Sequence, residues 1–404
     1  MTNFDVAIIG GGMVGASCAL ALSQTPLRVV LVESVAPQSN AQPSFDERTT
    51  ALGNASRRIF QALGVWDSIA GAAAAIRAIH VSDAGRFGFA RLEARDQGIE
   101  AFGYVATNRA IGAALWQRLT AGAAPPALRV PAALEAVESD ADRVRLKLRA
   151  ADGIEELTAR LVVAADGVDS AARRAAGIET SVEDYDQVAL VANVAADRPH
   201  EDAAYERFTP SGPFAVLPLR DGSYTVIWTR PPSLAAKTMA LTDHEFLAAL
   251  QAAFGWRVGR FVRTGRRAAY PLQLARADRP VGHRTVLIGN AAQTLHPVAG
   301  QGFNLGLRDA AVLAETLAGA SADPGSEQAL ARFAAQRASD RRGVVGFTDG
   351  LVKLFGDRRP PVALARDAGL LLFDLMPPAK SALARLSTGF VGRTSRLARG
   401  LPLS

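Results

Sequence analysis

The chain has 404 residues, 49% of them hydrophobic and 21% charged, a balance that suits two or three packed modules and excludes wholesale disorder. Its net charge is +6, but the stretch from Arg341 to Ser404 holds eleven Lys or Arg against four Asp or Glu, which leaves the first 340 residues near −1. A basic surplus confined to one end, rather than spread over a recognition fold, argues against a nucleic-acid partner.

That basic end also contains Gly369-Leu370-Leu371-Leu372-Phe373. Two readings stay open: peripheral contact with an anionic membrane surface, or a solvated helical hairpin packed on the core. The lone cysteine, Cys18, has no partner for an internal disulfide and sits in an apolar, helix-like stretch, where a buried inert thiol is expected. The expected location is therefore the cytoplasm, on the inner face of the membrane if the first reading of the basic end holds. Val6–Leu22 imitates the apolar region of a secretory signal, yet Asp5 rather than Lys or Arg precedes it and glycines fill its centre, so it is read as structure. No run of about twenty residues is apolar enough for a transmembrane helix.

In chain order, Asp5–Ile9 reads as a short buried strand, followed by a glycine turn, a small-residue helix from Met13 to about Ser23, and a second buried strand at Arg28–Val32. Strand, helix and strand within about thirty residues make a parallel βαβ unit. Helical patterns follow at Ser56–Leu63 and Ile111–Leu119. The alternating section Leu134–Val163 reads as a β-meander, ending in the apolar run Leu161–Ala165. Between about Ser181 and Ala277 the texture changes. Phe214–Leu219, an Asp221-Gly222 turn and Tyr224–Trp228 form a hairpin, with a helix near Asp243–Phe254 after it. Val286–Ile288 is a further buried strand and Phe303–Leu317 a long amphipathic helix; Pro360-Pro361 marks a boundary in the C-terminal region.

Three motifs carry chemistry. The first is Gly10-Gly11-Gly12-Met13-Val14-Gly15, a G-x-G-x-x-G placed after a strand and opening a helix. Gly10 permits the tight turn, Gly12 lets backbone approach a diphosphate, Gly15 lets helix and sheet lie close, and the helix N-terminus offers free N–H groups. Glu33 ends the second strand, eighteen residues beyond Gly15, where an acid accepts a ribose diol and disfavours a 2′-phosphate. The fingerprint alone leaves FAD and NAD open. The second motif is Asp166-Gly167 at the end of a buried strand; an isolated Asp-Gly is usually a turn, but strand ends in α/β folds also collect ligands. The third runs Gly289-Asn290-Ala291-Ala292-Gln293-Thr294-Leu295-His296-Pro297-Val298-Ala299-Gly300-Gln301-Gly302-Phe303-Asn304-Leu305-Gly306. It takes a buried strand into a glycine-punctuated loop and a helix start, where backbone can lie close to a ligand and the helix dipole favours negative charge.

In this order and spacing the three motifs resemble the class A flavoprotein aromatic hydroxylases of the p-hydroxybenzoate hydroxylase fold. Within them, the third motif, Asp46–Leu52 and Thr348–Val352 look similar to the 2-polyprenyl-6-methoxyphenol hydroxylases of ubiquinone biosynthesis. Asn290 replaces the family's usual aspartate, and an amide is the weaker acceptor. The resemblance implies an α/β fold: a glutathione-reductase-like Rossmann FAD-binding domain from residues 1–75, 100–180 and 278–355, an inserted antiparallel sheet with a helix as substrate domain from 76–99 and 181–277, and a helical C-terminal segment at 356–404. It assigns Gly10, Gly12, Gly15 and Glu33 to the ADP half of FAD. Arg48 and Arg109 go to the diphosphate and ribityl region, Asp166 near the phosphates, Asn290 to the ribityl chain, and Pro297, Gly300, Gly302 and Asn304 to the isoalloxazine. An exposed ion pair is the competing reading for both arginines.

The implied activity is a monooxygenase that uses NAD(P)H and O2 to hydroxylate a polyprenyl phenol, with other ubiquinone-biosynthesis proteins as partners. The cofactor carries the hard step, which agrees with a sequence holding no Cys/His metal cluster, no G-x-S-x-G and no P-loop. His296 is the one histidine inside a motif, either handling a proton or fixing the loop. Phe214, Val216 and Trp228, with Leu217 and Val226, are the expected substrate-wall residues, ordinary core packing being the alternative for each. Rival readings are a hydroxylase of a different phenol, another FAD or NAD oxidoreductase, and a flavin-binding scaffold of low turnover. Flavin colour, O2 uptake and substrate-stimulated NAD(P)H oxidation separate them.

Overall fold

The computed structural model describes residues 2–37, 46–122, 125–319, 323–357, 359–390 and 394–403. Its first sheet is built on five parallel strands in the order Thr285–Leu287, Gly153–Ala164, Thr2–Ile9, Val29–Val32 and Ala127–Arg129. Val6 stands between Leu161 and Val29 in register, and Val29–Val32 is buried at every position, as expected of a parallel strand covered on both faces. Alternation divides the first strand: Val6 and Ile8 pack under the helices Met13–Leu22, Asn108–Ala121 and Gln301–Ala318. Ala7 and Ile9 face Leu146, Leu148 and Leu157 of an antiparallel meander.

The second sheet has eight strands, in the order Gln293–Thr294, Phe261–Ala277, Thr180–Ala196, Tyr224–Arg230, Gly212–Pro218, Ala203–Thr209, Ala78–Asp83 and Phe89–Glu93. The hairpin joining Gly212–Pro218 to Tyr224–Arg230 and the helix Asp243–Phe254 stand where their patterning placed them. That helix opens on a capping box between Thr242 and Glu245 and buries Phe246, Leu250 and Phe254 against one face of the sheet. Three helices, Glu327–Gly356, Pro360–Leu375 and Pro377–Thr388, form the C-terminal region. Among the described residues no helix is long and apolar enough to cross a membrane.

A buried ionic lattice ties the long C-terminal helix to the one before it. Asp309, fully buried, accepts from Arg337 Nε at 2.7 Å and Arg341 Nη2 at 2.9 Å, while Asp340 accepts from Arg308 Nε at 2.8 Å and Arg337 Nη1 at 2.5 Å. Burial alone would raise both carboxyls. Arg341 and Arg337 around Asp309, and Arg308 and Arg337 around Asp340, outweigh it and hold both below the usual carboxylate range. Depressed carboxyls stabilise the fold above their unfolded-state pKa, and that contribution is lost as pH falls through the lower folded values. The thermal midpoint is therefore expected to lose this contribution only below about pH 4. Calorimetry across acid pH checks this, and Asp309→Asn should blunt the acid limb.

Candidate active site

The first strand delivers the chain to Gly10 at φ +101°, where a Cβ would lie 2.5 Å from the Ala165 carbonyl oxygen. Gly15 sits directly over the turn: a Cβ there would stand 1.9 Å from the Gly10 oxygen. The helix Met13–Leu22 starts from Gly12 with no side-chain cap, so its first N–H groups are left for a ligand. Glu33 accepts from the N–H of Gly11 at 2.5 Å and of Val35 at 2.8 Å, and a carboxylate keeps acceptor capacity beyond two bonds. A glycine turn, an uncapped helix start and a carboxylate at the next strand end fit a dinucleotide diphosphate with its ribose. Trp116 also belongs to this cradle, its Nε1–H donating to the Gly11 carbonyl at 3.0 Å. Sequence reading saw it only as part of a helical pattern.

A cavity of about 1580 Å³ runs from this cradle, larger than the 300–1,000 Å³ of a single drug-sized site. Gly10, Gly12, Glu33, Arg48, Asp166, Asn290, Pro297, Gly300, Gly302 and Asn304 all line it. Arg48 bonds Asp46 through Nε at 2.6 Å and lies 4.7 Å over the Tyr270 ring. Asp166 accepts from the Ser170 hydroxyl and, at 3.1 Å, from the Ala172 N–H, which anchors a short helix beside the cavity. Arg109 does not reach the wall. Its Nε bonds Glu47 at 2.6 Å with both side chains exposed, the competing ion-pair reading, and such a pair adds little stability. Its backbone N–H instead braces the Asp46 carbonyl at 3.0 Å.

The loop of the third motif is held by two side chains. His296, buried, accepts the Val298 N–H on Nδ1 at 3.2 Å and meets Gln187 Oε1 through Nε2 at 3.2 Å. Burial pulls its pKa down to about 4; its two bonds hold the loop, and it is not among the residues that line the cavity. Asn304 uses all four hydrogen-bonding positions of its amide: Nδ2 donates to the carbonyls of Ala51 and Gly300, both at 2.7 Å, and Oδ1 accepts from Gly53 N–H at 2.9 Å and Ser56 Oγ at 2.6 Å. It rivets the helix Gln301–Ala318 to the strand Thr49–Gly53. Asn304→Ala is expected to cost about 2–4 kcal/mol of stability by orphaning buried groups. Chemical denaturation checks it, and a loss under about 1 kcal/mol counts against the rivet.

Beyond the loop the cavity becomes apolar. Phe214, Val216 and Trp228 do not line it; they pack at the helix-covered face with Val226, Phe246 and Phe254. The wall comes from the other face of the same strands, as Ala215, Leu217 and Ile227, joined by Ile79, Val81, Leu92 and Ala204. A two-residue period sends neighbours to opposite sides, and the bulky aromatics took the side that a helix seals. Of the expected wall residues, Leu217 alone is in place. The C-terminal helices roof this end with Phe347, Leu351, Leu370 and Phe373. Sequence reading missed Glu206, which also lines this chamber.

A family model described as "FAD binding domain" matches residues 3–348. The chain is 39% identical to a ubiquinone hydroxylase, UbiL, of Rhodospirillum rubrum over 99% of its own length and 93% of that protein. It is 32% identical to the 3-demethoxyubiquinol 3-hydroxylase of Escherichia coli over 92% of its length and 95% of that protein. In fold it resembles p-nitrophenol 4-monooxygenase PnpA of Pseudomonas putida, with a TM-score of 0.78 at 20% identity, covering 95% of this chain and 97% of that one. A dinucleotide cradle opening onto an apolar chamber, with a family match across more than three hundred residues, places the protein: it belongs to the FAD-binding domain family, among the flavin-dependent aromatic-ring hydroxylases.

Proposed function

We propose that the protein hydroxylates the aromatic ring of a polyprenyl phenol in ubiquinone biosynthesis, with FAD bound and NAD(P)H and O2 as co-substrates. The observation that carries this is the continuity of the cavity, in which one end suits a dinucleotide and the other a greasy ring with a tail. The named activities of the relatives point the same way. In this reading Gly10, Gly12, Gly15 and Glu33 hold the ADP half, Arg48 and Asp166 the diphosphate region, Asn290 the ribityl chain, and Pro297, Gly300 and Gly302 the isoalloxazine. Asn304 and Arg109 act one step removed, by fixing backbone. Residues 1–75, 100–180 and 278–355 form the flavin module, 76–99 and 181–277 the substrate module, and 356–404 the helical C-terminal segment. Bound FAD supplies electron transfer from NAD(P)H and oxygen activation; the residues supply orientation and a chamber that excludes water.

Entry of a long tail gives the C-terminal helices a second role. Pro360–Leu375 turns Leu370 and Phe373 into the chamber while exposing Leu364, Leu372 and, at 78%, Leu375 on its outer side. An apolar outer face in a basic segment suits peripheral contact with anionic lipid on the cytoplasmic side. Double substitution of Leu372 and Leu375 by Glu is expected to lower co-sedimentation with anionic vesicles at least about tenfold, with flavin content unchanged. Equal sedimentation would remove the membrane from the account.

The function itself is tested by deletion in a ubiquinone-making host followed by mass analysis of the accumulating quinone precursor. The expected precursor lacks one ring hydroxyl. An unchanged ubiquinone profile, or purified protein that takes up no FAD, overturns the assignment.

A further inference from the structure

The floor of the apolar chamber is the second sheet, and the acid among its chamber-lining residues is Glu206. In register it stands between Val81 of Ala78–Asp83 and Ala215 of Gly212–Pro218. Its surface opens onto the chamber rather than bulk water. Burial pushes its carboxyl up to about 7, and the Ala299 N–H, from the loop that faces the chamber, works against that rise. Among the described residues no cation is placed to neutralise it: Arg366, which lines the same chamber from the roof, bonds Asp83 through Nε at 2.9 Å and Nη2 at 2.5 Å. A carboxylate holding one backbone donor in an apolar room has acceptor positions left, and leaving them unused is costly. The ligand that fits is neutral, apolar and equipped with one O–H donor, and it is held where Ala299 ties the acid to the third-motif loop.

We propose that Glu206 is a catalytic residue that accepts the ring hydroxyl of the phenol and takes its proton. This rests on the hydroxylase reading above. The step is a proton transfer: the phenol O–H bond breaks, a carboxyl O–H forms, and the electron pair stays on the ring oxygen, enriching the carbons ortho and para to it. A base with an elevated pKa is suited to receiving a phenolic proton near neutrality. The same hydrogen bond orients the ring against the loop.

The test compares flavin-loaded wild type, Glu206→Gln and Glu206→Leu on a short-prenyl phenol and on its O-methyl ether. Bound flavin, NAD(P)H oxidation and hydroxylated product are measured across pH about 6 to 9. All three proteins are expected to hold equal flavin. Both variants should form product at least about 10²-fold more slowly than wild type, with less product per NAD(P)H consumed. Wild-type kcat/KM should rise with pH through about 7 and level off, and the variants' residual rate should lack that rise. The ether, having no proton to give, should behave alike with all three proteins. A Glu206→Leu variant that hydroxylates the phenol at the wild-type rate with the wild-type pH profile overturns the assignment. If Glu206→Leu disturbs folding, the near-isosteric Glu206→Gln variant decides by the same rate and profile. Wild type that binds flavin but hydroxylates neither compound sinks the hydroxylase reading itself and the role of Glu206 with it. A loss seen in the variants alone is specific to this residue.

Discussion

Gly15→Ala is expected to give protein that purifies nearly colourless. The single added carbon would stand 1.9 Å from the Gly10 oxygen and 3.2 Å from the Ala165 Cβ, and the first of these neighbours is backbone that cannot rotate away. Either the helix Met13–Leu22 lifts from the sheet or the Gly10 turn opens. Both shifts move the uncapped N–H groups that the diphosphate needs. Overpacking of this kind costs about 1–3 kcal/mol or more, and misplacing a helix-terminus anion site should weaken FAD by at least about 10²-fold. The ratio of flavin absorbance to protein, followed by FAD titration of the stripped protein, measures it. Full flavin occupancy in the variant would show that the cradle tolerates a displaced helix. Gly302→Ala is the control from the third motif: nothing lies within 4 Å of its Cβ position, so any loss there comes from the ligand itself.

The second large effect is expected far from the flavin. Asp309→Ala leaves Arg337 and Arg341, both largely buried, facing a void where their shared acceptor stood. Removing one partner of a buried ionic cluster costs about 3–5 kcal/mol, because the remaining charge stays desolvated. With about 2.1 cal/mol/K of unfolding entropy per residue, that lowers Tm by roughly 5 °C for a chain of this length. Calorimetry reads it directly. The double variant Asp309→Leu with Arg337→Met should recover part of the loss, since matched apolar groups replace a charge pair at little cost. If Asp309→Ala alone melts within about a degree of wild type, the lattice contributes geometry rather than stability.

What could be read before folding was the part governed by local constraint. Gly10 and Gly15 announce themselves because only a residue without a side chain fits a turn at φ +101° or a 1.9 Å approach. Glu33 announces itself by ending a buried strand. The hairpin and its covering helix were legible for the same reason: their periods are written in consecutive residues. The substrate wall was not. Alternation says that Phe214 and Ala215 face opposite ways, but which way is inward depends on where Asp243–Phe254 packs, a long-range fact. Large aromatics drew attention, while the chamber took their aliphatic neighbours Ala215, Leu217 and Ile227. Glu206 was invisible for a related reason, since an acid between Tyr205 and Arg207 reads as one more exposed charge until the fold shows what lies in front of it. His296 and Asn304 stood out by their place in the motif, and what the fold adds is the set of hydrogen bonds by which each holds the loop.

The roof of the chamber and its floor come from distant parts of the chain. The floor strands lie within residues 78–230 and the roofing side chains between Phe347 and Leu383. During translation the nucleotide cradle and the floor leave the ribosome first, and an open trough lined with Ile79, Val81 and Leu92 must wait for the roofing residues between Phe347 and Leu383 to arrive. Until then the nascent chain presents a sticky apolar surface of the kind that recruits holdase chaperones, so damage to the final helices should show first as poor yield in the cell, before any assay of turnover is run.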